Sequence, residues 1–364
     1  MSEWKDEEER AYFQSVINAF KYYRTFSLQR VAKTEQYFKS LPEQHQKLMN
    51  SYLQHLNEIK NCIEANDYLI KMIILDADYM FANVHPVDHN HCQPQVTVSN
   101  PRPIEADMER VQATLKQLVR DWSENGAEER NSCYQPIISE ITVEFPPDRC
   151  KPEDIKILVP GAGLGRLAFE IAKLGYTCQG NEFSLFMLLA SQFVLNKCCN
   201  INIHKVYPWI HQFVNNIKPE HQTQSVSFPD INPRDLCTNS SFTMAAGDFL
   251  EVYTESDTWD CIATCFFIDC ANNIAAFIET IYTILKPGGI WINLGPLLYH
   301  FSDMPQEDSI EPSYEVVRKI ILGIGFVIEK EETDVKTTYA QNPNSMLQYQ
   351  YRSVFFTCRK CLVV

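Results

Sequence analysis

The sequence predicts an α/β protein in which a mostly parallel sheet follows an all-helical N-terminal region. Three observations carry that expectation: helical apolar spacing over roughly the first 145 residues, short apolar runs alternating with helix-length segments after Pro152, and a glycine-rich turn where the first such run meets its helix. With 364 residues, 45% of them hydrophobic, the chain can bury roughly 75% of its unfolded surface, in one large domain or two smaller ones.

Between residues 11 and 67 apolar side chains recur at helical spacing: Phe13, Val16, Ile17 and Phe20, then Leu48, Tyr52, Leu56, Ile59 and Ile63. Residues 68–84 read as one more buried helix. The four prolines of residues 85–103 then impose a loop. It gathers His85, His89, His91 and Cys92, which are metal-ligand types, yet a solvated polar loop explains them equally and no second ligand group accompanies them. Residues 105–124 return to helix through Val111, Leu115, Leu118 and Val119, with Gly126 as a C-terminal stop. Residues 127–145 continue helical through Tyr134 and Ile137, and Pro146-Pro147 marks a boundary.

Beyond it, residues 155–159 form a buried strand, 167–173 a helix, 176–182 a second strand ending on a carboxylate, and 186–197 a helix. An irregular insert, 201–242, intervenes. A strand at 259–267, a helix at 273–285, the turn Lys286-Pro287-Gly288-Gly289 and a strand at 290–294 follow. Strands interleaved with helices of this length specify a parallel sheet. Residues 326–332 and 349–358 are strands with little helix between them, most simply a closing antiparallel hairpin.

Forty-six acidic against 32 basic side chains give a formal charge of −14, and no Lys/Arg block interrupts it. Without a basic stripe to neutralise phosphates, neither nucleic acid nor an anionic membrane is an expected partner. The start, MSEWKDEEER, lacks the apolar stretch of a signal or transit peptide. No apolar run reaches the ~18 residues of a membrane helix. Thirteen scattered cysteines, an odd number, read as reduced thiols, so cytosol or nucleus is expected. Cys358 and Cys361 make a lone C-x-x-C with no second pair, and no metal is expected there.

The run at 155–159 leads directly into Pro160-Gly161-Ala162-Gly163-Leu164-Gly165-Arg166 and then a helix. Glycines there let the backbone approach a ligand and present the N–H groups of a helix start, although a bare tight turn has the same letters. Their G-x-G-x-G spacing departs from the G-x-G-x-x-G of dinucleotide sites, which tilts the reading away from NAD. Glu182 ends the second strand 21 residues after Gly161, where a carboxylate either accepts two ribose hydroxyls or merely ends a solvated strand. In Gly247-Asp248-Phe249, Asp248 can take an adenine amino proton and Phe249 can stack on the ring; the plainer alternative is an Asp-capped turn.

The strings VRDWSENGAEER (119–130), ILVPGAGLGRLAFEIAKLGY (157–176), YPWIHQF (207–213), WDCIATCFFIDCANN (259–273) and LKPGGIWINLGPLLYHF (285–301) resemble the carnosine N-methyltransferase family, within the class I S-adenosylmethionine-dependent methyltransferases. The similarity runs over nearly the whole chain and is weakest at 85–103 and 218–241. It implies a Rossmann-like, mostly parallel seven-stranded sheet with a closing antiparallel strand. The expected organisation is a helical region, 1–145, whose residues 105–145 pack against the cofactor site, and a methyltransferase domain, 146–364, with the insert 201–242. It implies methyl transfer to the imidazole of carnosine and of other small histidine-containing peptides, giving anserine from carnosine. Carried over by position, Gln117, Arg120, Gly161, Gly163, Glu182, Asp248, Phe249 and Cys265 would surround S-adenosylmethionine. Asp269, His300, Tyr349 and Tyr351 would surround the peptide. Val159-Pro160 stands where the wider class carries an acidic residue, and Arg120 with Gln117 would fix the cofactor's carboxylate.

Methyl transfer from a sulfonium is an in-line displacement whose leaving group needs no proton, so the protein's task is mainly to position a lone pair. Imidazole, with a pKa near ~6.5, is mostly neutral at cytosolic pH. What must be chosen is the tautomer, and Asp269, just beyond a strand, is the expected acceptor for the far N–H, unless it only caps the following helix. His300 would donate to the peptide, or else is a satisfied core residue. Tyr349 and Tyr351, two apart, would share one strand face and line the pocket, or pack on a helix. Tyr207 and Trp209 open the insert either as a lid or as core. A metal is not expected, and the N-terminal helices offer a homodimer interface. Rival readings are a protein-histidine methyltransferase and a non-catalytic S-adenosylmethionine-binding regulator.

Overall fold

A computed structural model describes residues 2–75, 77, 103–236, 241–304 and 306–362. In chain order the first half contains α1 (Ser2–Ser40), α2 (Glu43–Leu48), α3 (Tyr52–Ile74), α4 (Glu105–Trp122), α5 (Ala127–Glu144), β1 (Lys156–Pro160), α6 (Arg166–Lys173) and β2 (Thr177–Glu182). Then come α7 (Leu185–Lys197), β3 (His204–Val206), α8 (Pro219–Thr223), β4 (Val226–Phe228), β5 (Phe242–Ala246), α9 (Phe249–Val252) and β6 (Trp259–Cys265). The chain closes with α10 (Ile274–Ile284), β7 (Leu285–Gly295), α11 (Tyr314–Ile324), β8 (Phe326–Thr337) and β9 (Tyr351–Lys360). Among the described residues no helix is long and apolar enough to cross a membrane.

One compact unit comprises residues 1–119, 185–230 and 342–348. In α1 the buried side chains Val16, Phe20, Tyr23, Val31 and Phe38 fall on one helical stripe, and Phe20 packs on Phe186 of α7 at 5.4 Å between ring centroids. In α3, Leu56, Ile59, Ile63, Ile70 and Ile73 are buried likewise. The separate helix expected from residue 68 is instead the end of α3, because the apolar spacing runs on without a break; residues 78–84 lie outside the described residues, as does the His85, His89, His91 and Cys92 cluster. Leu48, expected in the core, is exposed at the end of the short α2. The insert docks in this unit by a two-way grip: Asn66 donates to the Tyr207 carbonyl (2.9 Å) and accepts the Tyr207 N–H (2.8 Å). Trp209 is buried, and His211 bonds the Tyr23 hydroxyl at 3.0 Å, burial driving its pKa down to about 4. Of the two readings, core packing is the one realised at Trp209, while Tyr207 is half-buried and held through its backbone.

The other unit, residues 120–184, 231–341 and 349–364, holds a seven-stranded sheet in the order β5-β2-β1-β6-β7-β9-β8. Five strands are parallel, and β9 runs antiparallel to both β7 and β8, the closing hairpin expected. Alternation along each strand divides two cores. Ile157, Val159, Cys261, Ala263, Ile290, Ile292 and Leu294 face α5 and α6, whereas Leu158, Ile262, Trp291 and Phe356 face α10 and α11. Each fully buried aliphatic side chain there contributes roughly 1.5–3 kcal/mol. These boundaries differ from a division at residue 145: α5 belongs with the sheet, while α7 and most of the insert group with the N-terminal helices. Gly126 is not the helix stop expected of it. Its φ of −85° is not left-handed, and it precedes α5; the end of α4 is closed by Arg130, whose Nη1 donates to the carbonyls of Arg120 (2.8 Å) and Ser123 (2.7 Å).

Connections leave β1 toward β2 and β5 on one side and β6 toward β7 on the other. The crevice of such a sheet opens beyond the carboxyl ends of β1 and β6, where the strand order reverses.

Candidate active site

At the carboxyl end of β1 the chain alternates into the left-handed region, with φ of +65° at Gly161, +56° at Gly163 and +82° at Gly165, the residue that precedes α6. Gly161 is required twice over, since a Cβ there would lie 2.4 Å from Phe267 Cδ2. Glu182, at the end of β2, accepts the Gly163 N–H on Oε2 (2.8 Å) and the Phe183 and Ser184 N–H groups on Oε1 (2.9 and 2.8 Å). Burial raises its pKa and those three donors oppose the rise. A carboxylate has about four acceptor positions, so roughly one remains for a further donor.

Asp248 is the N-cap of α9, its Oδ1 accepting the Leu250 N–H at 2.7 Å, as in the plainer reading of that turn. The Phe249 ring, at the start of α9, is buried against Tyr253, Phe267 and Phe277, at 5.6, 5.5 and 5.4 Å.

The end of α4 delivers two side chains, Asp121 and Trp122, that clamp the glycine loop. Asp121 Oδ2 accepts the Leu164 N–H (3.3 Å), Trp122 Nε1 donates to the Leu164 carbonyl (3.1 Å), and the Arg166 guanidinium lies 5.0 Å over the Trp122 ring. Arg120 is buried in the same network. Its Nε donates to Glu129 (2.6 Å), and Nη1 donates to Asp121 (3.2 Å) and to the Tyr134 hydroxyl. The rings of Tyr339 and Tyr134 lie 4.5 and 4.9 Å from it. Nη2 is buried without an acceptor of ordinary geometry. Cys265, half-buried at the end of β6, lies beside that guanidinium and the Cys133 thiol; the neighbouring thiol and burial raise the Cys265 pKa, while the same neighbour, with Arg120, lowers that of Cys133. Gln117 is buried one turn earlier on α4 and groups with the N-terminal unit.

Asp269 is 1% exposed in the short turn between β6 and α10. It does not cap the helix: Asn273 does, accepting the Ala275 N–H at 3.1 Å. Oδ2 of Asp269 accepts the Leu298 N–H at 2.7 Å, and Oδ1 is buried without a partner. Burial raises the Asp269 pKa, with the Leu298 N–H and nearby His300 opposing. His300 is exposed, corrects the core alternative, and donates its backbone N–H to the Asp269 carbonyl (3.2 Å). Asp269, Cys270 and His300 bring one potential ligand atom each within 4.8 Å of one another.

Tyr349 and Tyr351 do not share a strand. β9 begins at Tyr351; Tyr349 precedes it and is exposed, its N–H held by the Gln341 side chain at 2.7 Å. Tyr351 packs edge-on against Phe266 at 5.8 Å, within electrostatic reach of Asp269. Phe266 itself has a φ of +53°, the strain of a non-glycine residue at the mouth of a parallel sheet. Asp121, Glu129, Tyr134, Phe266 and Tyr339 escape a reading of spacing alone. The one signal is the density of charge around Trp122, with Arg120, Asp121 and Glu124 beside it.

Residues 97–362 match the family described as carnosine N-methyltransferase. The carnosine N-methyltransferase of Mus musculus is 51% identical over 360 residues, covering 98% of this chain and 88% of that protein. That of Schizosaccharomyces pombe is 41% identical, covering 97% of each. Among solved structures, an S-adenosylmethionine-dependent methyltransferase from Methanosarcina mazei is 12% identical with a TM-score of 0.38, over 58% of this chain and 94% of that one. A match over most of the sequence, with relatives above 40% identity across nearly its whole length, shows that the chain belongs to the carnosine N-methyltransferase family.

Proposed function

We propose that the chain transfers the methyl group of S-adenosylmethionine to one imidazole nitrogen of carnosine, giving anserine and S-adenosylhomocysteine. The observation that carries this is the buried, unpartnered Oδ1 of Asp269 at the crevice end of β6. A buried carboxylate oxygen without a donor is costly unless a ligand supplies one.

The residues present also fit the cofactor. Buried Arg120 has Nη2 to spare, which suits the cofactor's carboxylate, and Gly161 and Gly163, which carry no Cβ themselves, suit a close approach of the backbone to a ligand. Glu182, with roughly one acceptor position left, suits a ribose hydroxyl. When bound, the cofactor supplies an electrophilic methyl on sulfur whose departure needs no acid.

Asp269 Oδ1 accepts the N–H of the far imidazole nitrogen and so leaves the lone pair on the other. As positive charge develops on the ring, the same carboxylate stabilises it, and it can receive the proton afterwards. The Leu298 N–H holds Oδ2 and keeps Oδ1 aimed. His300 and Tyr351 flank the acceptor and suit the rest of the peptide. Because the chemistry reads the imidazole, other small histidine-containing peptides are expected substrates. The free thiols of the described residues, Cys133 and Cys265 among them, support a reducing compartment, cytosol or nucleus. The test is transfer of a labelled methyl group to carnosine with mass detection of the product; no transfer from a folded protein that binds S-adenosylhomocysteine overturns the reading.

A further inference from the structure

Glu129 lies at the start of α5, where neither of the roles just assigned uses it. Its Oε1 accepts Arg120 Nε at 2.6 Å, and both carboxylate oxygens accept the backbone N–H of Ala340 at 2.9 Å. Ala340 has a φ of +44°, a left-handed conformation that an alanine adopts only when something holds it. The residue before it, Tyr339, lays its ring 4.5 Å from the Arg120 guanidinium and 5.0 Å from Phe266, and Phe266 in turn meets Tyr351. On the other side of the turn, Gln341 holds the N–H of Tyr349. One carboxylate thus joins the cationic side chain with a free nitrogen to the strained turn between the tyrosines of the peptide side.

We infer that Glu129 is a positioning residue: it fixes the Tyr339–Ala340 turn against Arg120, so that the aromatic wall of the peptide site is set by the group that receives the cofactor's carboxylate. The inference rests on the assignment of Arg120 and Tyr351 under the proposed function. A glutamine at 129 has one acceptor oxygen where Arg120 and Ala340 both need one, so its amide N–H₂ must face a donor. The left-handed turn then lacks its support and relaxes. Glycine at 340 adopts that φ without support.

The experiment compares wild type, Glu129→Gln, Ala340→Gly and the double variant. Amide hydrogen exchange across residues 338–341 is read first, and KM and kcat for carnosine second. Expected are exchange about tenfold faster at that turn in Glu129→Gln, with the sheet peptides unchanged, and a KM for carnosine raised about tenfold, with kcat lowered less. The double variant should recover most of the KM, because glycine forms the turn unaided. A folded Glu129→Gln with wild-type exchange at the turn and KM within twofold overturns the inference. So does a raised KM that Ala340→Gly leaves uncorrected, since the effect would then not pass through the turn. If wild type itself transfers no methyl group to carnosine, the proposed function falls, while the exchange data still decide whether Glu129 holds the turn.

Discussion

Substitution of Gly161 by alanine perturbs the glycine loop at the point where it touches the β6 side of the crevice. The added Cβ would meet Phe267 Cδ2 at 2.4 Å, with Cγ at 3.2 Å and Cβ at 3.3 Å. Ordinary carbon contacts lie at ~3.5–4.0 Å, so the ring must move by more than ~1 Å or the loop must withdraw. Retreat of the ring is resisted, because Phe267 is stacked on Phe277 at 4.9 Å and set edge-on to Phe249 at 5.5 Å. Overpacking of this kind costs about 1–3 kcal/mol, and φ of +65° costs a non-glycine residue about 1–2 kcal/mol more. The expected loss is therefore about 2–5 kcal/mol, measured by urea unfolding. Affinity for S-adenosylhomocysteine, measured by calorimetry, should fall as well, since withdrawal of the loop carries the Gly163 N–H off Glu182. Gly323→Ala is the control: nothing lies within 4 Å of its added Cβ, and in α11 it should stabilise by about 0.5–1 kcal/mol. A Gly161→Ala protein within about 0.5 kcal/mol of wild type and unchanged in affinity would refute the close contact between Gly161 and Phe267.

Asp269→Asn should leave S-adenosylhomocysteine affinity nearly intact and lower kcat about 10²–10³-fold, because an amide held by Leu298 through its oxygen presents a donor to the substrate N–H. The same variant has a pH signature in stability. The Asp269 pKa is raised by burial above its ordinary 3.8, so the folded state favours the protonated acid; the stability this gives is complete below 3.8 and is lost as pH rises through the folded value. Asp269→Asn is therefore expected to melt higher than wild type near neutrality and to lose that advantage on acidification, as thermal scans across pH will register. Arg120→Lys gives up the fork that serves Glu129, Asp121 and Tyr134 together, and should weaken S-adenosylhomocysteine binding about tenfold to a hundredfold by titration calorimetry.

The parts of this fold that are legible in the sequence are those specified by neighbours along the chain. Alternating glycines after an apolar run announce the loop at Gly161 and Gly163, and short continuous apolar runs announce β1, β6 and β7, since each strand is buried on both faces. Glu182 and Asp269 are legible because a carboxylate just past a buried strand has few places to go. The rest depends on partners far away in sequence. The packing of Phe249 is set by Phe267 and Phe277, which no local pattern links to it. Tyr349 looks like a strand residue until β9 is seen to start two positions later. Glu129 is one charged letter among several, and its meaning comes from Ala340, 211 residues on. Arg130, not a glycine, ends α4, because a long side chain can return to orphan carbonyls that no local pattern advertises.

In the proposed mechanism a buried acceptor at Asp269 selects one imidazole tautomer for methylation. Two-dimensional NMR of the product made from carnosine and methyl-labelled S-adenosylmethionine tests it most directly. A single methylated ring nitrogen, formed by wild type and sharply reduced in Asp269→Asn, is the predicted result; a mixture of both ring isomers from the wild-type protein would contradict it.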